Sequence, residues 1–195
     1  MSHKKAQKTT QKSLVYWLIS VVVVLFVVSL IVVAPVAAAS GHSDVGSVIY
    51  HAFAPLCHQL PERSYFIDEH QFAVCSRCTG LYAGFALTLL LYPLIRPLRY
   101  PVMPHPRWLL FAAVPLAIDF SVNFFGFWQN THTSRLLTGA LLGSAVVFYV
   151  MPGIIELSLR HAPVSKEPRL PFTLASPESI ASAPSDYSAP ERRIP

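Results

Sequence analysis

The chain has 195 residues, of which 53% are hydrophobic and only 13% charged, and its mean hydropathy is +0.46. Ordinary soluble domains carry about 25% charged residues, so this composition excludes a water-soluble protein and points to one polytopic membrane domain. The formal net charge of +5 does not indicate nucleic acid: the basic residues flank apolar segments, where membrane topology requires them, and no basic patch is interleaved with exposed aromatics.

Residues 1–13 form a polar tail that carries Lys4, Lys5, Lys8 and Lys12. Leu14 to Ala39 is an uncharged apolar run, longer than the roughly 20 residues that span a hydrocarbon core. With its basic start and its small-residue exit, Ala37-Ala38-Ala39-Ser40, it also has the outline of a signal peptide. Signal apolar cores run to about 7–15 residues, so the expectation is an uncleaved anchor forming the first transmembrane helix. Residues 40–156 then make up a membrane domain with a Cys/His loop and three further helices. Their apolar runs are Gly80–Ile95, Trp108–Phe125 (interrupted by Asp119 and Asn123) and Leu136–Ile155. Gly139 and Gly143 are spaced so that two helix backbones can approach closely in lipid. Residues 157–195 are expected to be a disordered tail, since the stretch from Ala162 holds seven of the seventeen prolines with many Ser and Ala and too little apolar surface to fold.

Charge orients the helices. The N-terminal lysines, then Arg96, Arg99 and Arg107, then Arg160, Lys166, Arg169, Arg192 and Arg193 amount to twelve of the fifteen Lys and Arg. All twelve fall on one side of a four-helix arrangement, and the positive-inside rule makes that side cytoplasmic. Both termini are then cytoplasmic, and the loop from Cys57 to Cys78 faces outward. If the first run is cleaved, three helices remain.

All three cysteines lie in that loop, in Cys57-His58-Gln59-Leu60-Pro61-Glu62-Arg63-Ser64 and Cys75-Ser76-Arg77-Cys78-Thr79-Gly80-Leu81-Tyr82. Three chemistries suit them. Cys57, His58, Cys75 and Cys78 offer a Cys3His donor set of the kind zinc takes in tetrahedral sites. Cys57 and His58 are adjacent, which strains joint ligation, so His51 or His70 are substitutes for His58. Alternatively, Cys75 and Cys78 at a helix N-terminus, with Arg77 between them, have the placement of a thiol–disulfide redox pair with a lowered thiol pKa. The third possibility is a structural disulfide plus one spare cysteine. A Cys57 nucleophile activated by His58 ranks below these, because adjacent side chains rarely align for proton transfer.

Arg63, Arg77 and Arg135 are the only basic Lys or Arg residues on the outward side. These three either pair with Glu62, Asp68, Glu69 or Asp119 or, since arginine offers a planar fork for phosphate or carboxylate, receive an anionic small molecule or lipid headgroup, the expected partner beside the bilayer itself. Asp119 is an intramembrane carboxylate, by default a functional or paired residue, and an Asp119–Arg135 pair is expected. Asp119, Arg135, Arg63 and Arg77 are the catalytic candidates if the protein is an enzyme. The residues do not choose between an enzyme, a metal-binding protein and a structural subunit.

These elements resemble a family of small prokaryotic membrane proteins defined as a domain of unknown function. The resemblance rests on Cys57-His58-Gln59-x-Pro61-x-Arg63-Ser64, on Cys75-x-Arg77-Cys78-Thr79-Gly80-x-Tyr82, on Asp119, and on Arg135-x-x-Thr138-Gly139, and it covers roughly residues 51–143. Family members often carry Gly where this chain reads Asp68-Glu69-His70. The resemblance implies that the polar residues form one site and supplies no activity. Together these readings specify an all-α integral membrane bundle of four transmembrane helices with an outward-facing Cys/His site, zinc being the expected metal.

Overall fold

Long uncharged runs in this chain have one way to satisfy their backbone in lipid, which is to close every N–H and C=O within a helix. In a computed structural model that describes residues 2–98 and 102–160, four helices are long and apolar enough to cross a membrane. They are α1 (Ser2–Ala39), α3 (Ser76–Ile95), α4 (Arg107–Phe124) and α5 (His132–Arg160), with a shorter α2 (Ser43–Phe53) after α1. Between α2 and α3 lie a 3-10 turn (Pro61–Arg63) and the strands β1 (Ser64–Ile67) and β2 (His70–Cys75). The protein is thus an all-α membrane bundle carrying one small β-hairpin.

Three local features differ from the expectation. The backbone of the basic tail expected over residues 1–13 forms the first turns of α1. The loop from Cys57 to Cys78 is an ordered antiparallel hairpin in which Ile67 pairs with His70. Helix α5 runs to Arg160, past position 157 where the tail was expected to begin; the rest of that tail, from 161, lies outside the described residues, as does Arg99. The hairpin turn has Asp68 at φ 46° and Glu69 at φ 65°. Two left-handed residues in a two-residue loop are the signature of the type I′ turn, whose twist matches that of the strands. Glycine at this turn would adopt that conformation without strain.

Helices α3 and α5 run parallel and meet backbone to backbone. A side chain at Gly80 would strike the backbone of Leu136, and one at Gly84 that of Ala140. In return Gly139 faces the backbone of Arg77, and Gly143 that of Leu81. Both helices contribute small residues four apart, as close packing in lipid requires. Helix α1 runs the other way and closes the bundle, its Trp17 Nε1 donating to the Leu89 carbonyl at 2.8 Å. Helix α4 lies against α5 and has no buried residue.

The buried apolar side chains fall into two clusters. One joins Leu89 and Tyr92 of α3 to Val147, Met151 and Ile155 of α5. The other joins Ile31 and Ala34 of α1 to Ile49 and Phe53 of α2, Ala73 and Val74 of β2, and Cys57. This second cluster sits at the end of the bundle where α1 and α4 finish and α3 and α5 begin, and it is the floor on which the cysteine site is built.

Candidate metal centre and arginine-lined cavity

The thiols are brought together by three different elements. Cys57 leaves α2 through a short turn and is buried in the apolar cluster. Cys75 ends β2 and caps the start of α3, with φ −67° and ψ 162°. Cys78 is in the first turn of α3. The three sulfur atoms lie within 4.8 Å of one another, and all three cysteines are free. The Cys75 N–H donates to the Cys57 sulfur at 3.2 Å. Hydrogen bonds from the Cys57 and Cys78 thiols, aided by the backbone N–H groups of Cys78 and Arg77, hold the Cys75 thiol far below its ordinary range, against the opposing pull of burial. A helix N-terminus and donated N–H groups stabilise a thiolate, the form that binds a metal ion.

Three of the four expected ligands therefore converge. His58 is exposed and lines the adjoining cavity, and its ring nitrogens are outside the sulfur group. His51 is turned away, its Nδ1 paired with the Ser47 carbonyl at 2.8 Å, and His70 is likewise outside the group. Tyr82 packs edge-on to Phe53 at 6.2 Å, against the apolar cluster that holds Cys57.

Beside the sulfurs is a cavity of about 310 Å³, lined among others by Cys57, Cys75, Cys78, Arg63, Arg77 and Arg135. Asp119 pairs with Arg77, at 2.5 Å, and not with Arg135 as expected. Arg135 lies one turn before Gly139, which abuts the Arg77 backbone, so Arg135 is seated over the α3–α5 seam while α4 presents Asp119 to Arg77. Asn130 completes this clamp: its Nδ2 donates to the Asp119 carboxylate at 2.7 Å and to the Asp119 carbonyl at 2.6 Å. The Arg77 guanidinium also lies 5.8 Å over the Phe120 ring, within cation–π range.

Two supporting networks were not anticipated. Gln59, at φ 51°, donates through Nε2 to the carbonyls of Tyr50 and Ala73, each at 2.8 Å. Its own carbonyl accepts from Gln71 Nε2 at 3.1 Å. It thereby ties the turn after Cys57 to both α2 and β2. Ser76 Oγ donates to the Arg63 carbonyl at 2.8 Å and lies 2.7 Å from His132 Nδ1. With the single hydroxyl hydrogen committed to a carbonyl, His132 Nδ1 carries a proton and donates. Ser76 is consequently a brace between hairpin and α5 rather than an activated nucleophile, since activation requires a histidine that accepts. The adjacency of Ser76 to the cysteine pair was the only sequence signal for it; His132 carried none.

Residues 57–149 match the family described as "Predicted membrane protein (DUF2085)". A relative from Methanocaldococcus jannaschii, named only as an uncharacterized protein, is 36% identical over 109 residues, which span 56% of this chain and 70% of its own. The chain belongs to this family. A second uncharacterized relative, from Methanothermobacter thermautotrophicus, is 36% identical over 105 residues, covering 53% of this chain and 93% of its own. No solved structure matches. The family match begins at Cys57 and takes in every residue of the thiol cluster, the three arginines and Asp119, whereas α1 and α2 lie outside it.

Proposed function

We propose that this protein is a membrane-embedded metal-binding protein in which Cys57, Cys75 and Cys78 hold one zinc ion. The observation that carries this reading is the convergence of three free sulfurs within 4.8 Å at the N-terminus of α3. Zinc takes tetrahedral sulfur ligands at about 2.3 Å, and three thiolates leave its fourth position for His58, water or a ligand from the cavity. Sites with three protein ligands and an open position are the catalytic kind, whereas structural sites are closed. The positive-inside asymmetry supports an extracytoplasmic site and a cytoplasmic C-terminus; an impermeant thiol reagent should label an introduced Phe127→Cys in intact cells, and failure to do so reverses the orientation.

Elemental analysis of the purified full chain, paired with a free-thiol count, tests the metal. About one equivalent of zinc is expected, with thiols that alkylate only after chelation. Metal-free protein with freely reactive thiols overturns the reading. A second reading, a thiol–disulfide oxidoreductase, is favoured by the depressed Cys75 thiol at the head of a helix. It requires metal-free protein isolated with a Cys75–Cys78 disulfide and a mixed disulfide trapped by Cys78→Ser.

A further inference from the structure

The cavity holds more positive charge than the protein neutralises. Arg135 is only 9% exposed and lines the cavity, yet among the described residues no carboxylate lies within ion-pair distance of it. Arg77 spends one nitrogen on Asp119, while its Nε is buried without an acceptor. Arg63, which also lines the cavity, has only a loose contact of 3.8 Å with Glu62 on the exposed side. Leaving a guanidinium buried and unpaired is costly, so this arrangement is built for an acceptor that the described residues do not supply. The N-termini of α3 and α5 point the same way, and their dipoles add to the preference for an anion.

We propose that the cavity binds a phosphate group, held by Arg135 and Arg77 with Arg63 at the mouth. This deepens the reading of the same cavity but stands on the guanidiniums rather than the thiols. Three guanidiniums face one carboxylate, Asp119, so positive charge is left over even with one of the neighbouring thiols ionised, and a phosphate ester carries about −1.5 to −2 at neutral pH. Its three acceptor oxygens suit the two planar forks that Arg135 and Arg77 present, where a carboxylate offers only two. The volume of about 310 Å³ is on the order of ten water molecules, room for a phosphate and part of an ester substituent. The α4 wall includes Phe120 and Asn123, and Phe120 is 51% exposed on the outside of the bundle. Exposed Phe124, Phe125, Phe127 and Trp128 follow at the same end, an aromatic group of the kind that settles at the membrane interface. The phosphate is thus reachable from the headgroup layer as well as from water.

The test uses the purified full chain in detergent, with thermal unfolding and native mass spectrometry as readouts. One arm adds inorganic phosphate against equal chloride; the other adds phosphatidic acid against diacylglycerol of the same chains. Saturable stabilisation by phosphate assigns a soluble ligand, and stabilisation by phosphatidic acid alone assigns a lipid headgroup; either supports the site. Arg135→Gln should weaken binding about tenfold or more and Arg63→Gln several-fold, as expected for lost charge-assisted contacts. If Arg135→Gln does not fold, Arg63→Gln and the salt dependence decide. No stabilisation in either arm, or unchanged affinity in both variants, overturns the proposal. Metal content separates the two readings: Arg135→Gln should keep the metal and lose phosphate affinity, and phosphate affinity kept in Arg135→Gln overturns the arginine site.

Discussion

Helices α3 and α4 flank the same cavity but are held in the bundle in opposite ways. Helix α3 is joined mainly by shape: four glycines set backbone against backbone, and the polar contacts Ser76–His132 and Ser144 to the Gly84 carbonyl add to it. Helix α4 buries no residue and is tethered to the site by chemistry, through Asp119 to Arg77 and through Asn130 back to Asp119. A seam made of backbone contact is rigid, because helix axes cannot approach further and gain nothing by separating. A tether of a few polar contacts is adjustable. The cavity therefore has one fixed wall, which carries Arg77, Cys78 and Arg135, and one wall that can yield.

Breaking the fixed wall should have the largest effect. Gly80→Leu places a side chain into the Leu136 backbone and should cost about 3 kcal/mol or more, read as loss of folded protein in detergent unfolding. Breaking the yielding wall should cost less. Asp119→Asn leaves Arg77 without its counter-ion, and about 2 kcal/mol is expected for this partly screened pair. A double-mutant cycle with Arg77→Gln should recover most of that loss, and additive effects would mean that the pair does not tether α4. The hairpin offers a finer probe. Gln59→Leu removes two hydrogen bonds to α2 and β2 and should cost about 1–2 kcal/mol while loosening Cys57, so bound zinc per chain should fall with it. The smallest effect has the opposite sign: Glu69→Gly relieves a left-handed φ of 65° and should raise stability by about 1 kcal/mol. A destabilised Glu69→Gly would mean that Glu69 makes a contact worth more than its strain.

Much of this was legible before any coordinates. Uncharged length marks a membrane helix almost regardless of context, which is why all four spans are recoverable from composition. Their starts were less so. Helix α3 begins at Ser76, ahead of the apolar run that starts at Gly80, because the polar residues of its first turn, Ser76 and Arg77, face the hairpin and the cavity rather than lipid. Helix α2 has only eleven residues and hides among small and polar side chains. The hairpin is hidden because its turn, Asp68-Glu69, lacks the glycine that would announce it.

By itself, the sequence determined the membrane class, the number of spans, the clustering of thiols near one end and the presence of arginines outside the basic belt. These follow from composition and from position along the chain, which solvent and lipid read locally. Only the tertiary structure decided who faces whom. It joined Asp119 to Arg77 rather than Arg135, left His58 outside the sulfur group, and left Arg135 buried with no ion-pair partner among the described residues. Those outcomes depend on the rotation of each helix about its axis, and that rotation is set by the glycine seam between α3 and α5, a contact between residues more than fifty positions apart that no local pattern encodes.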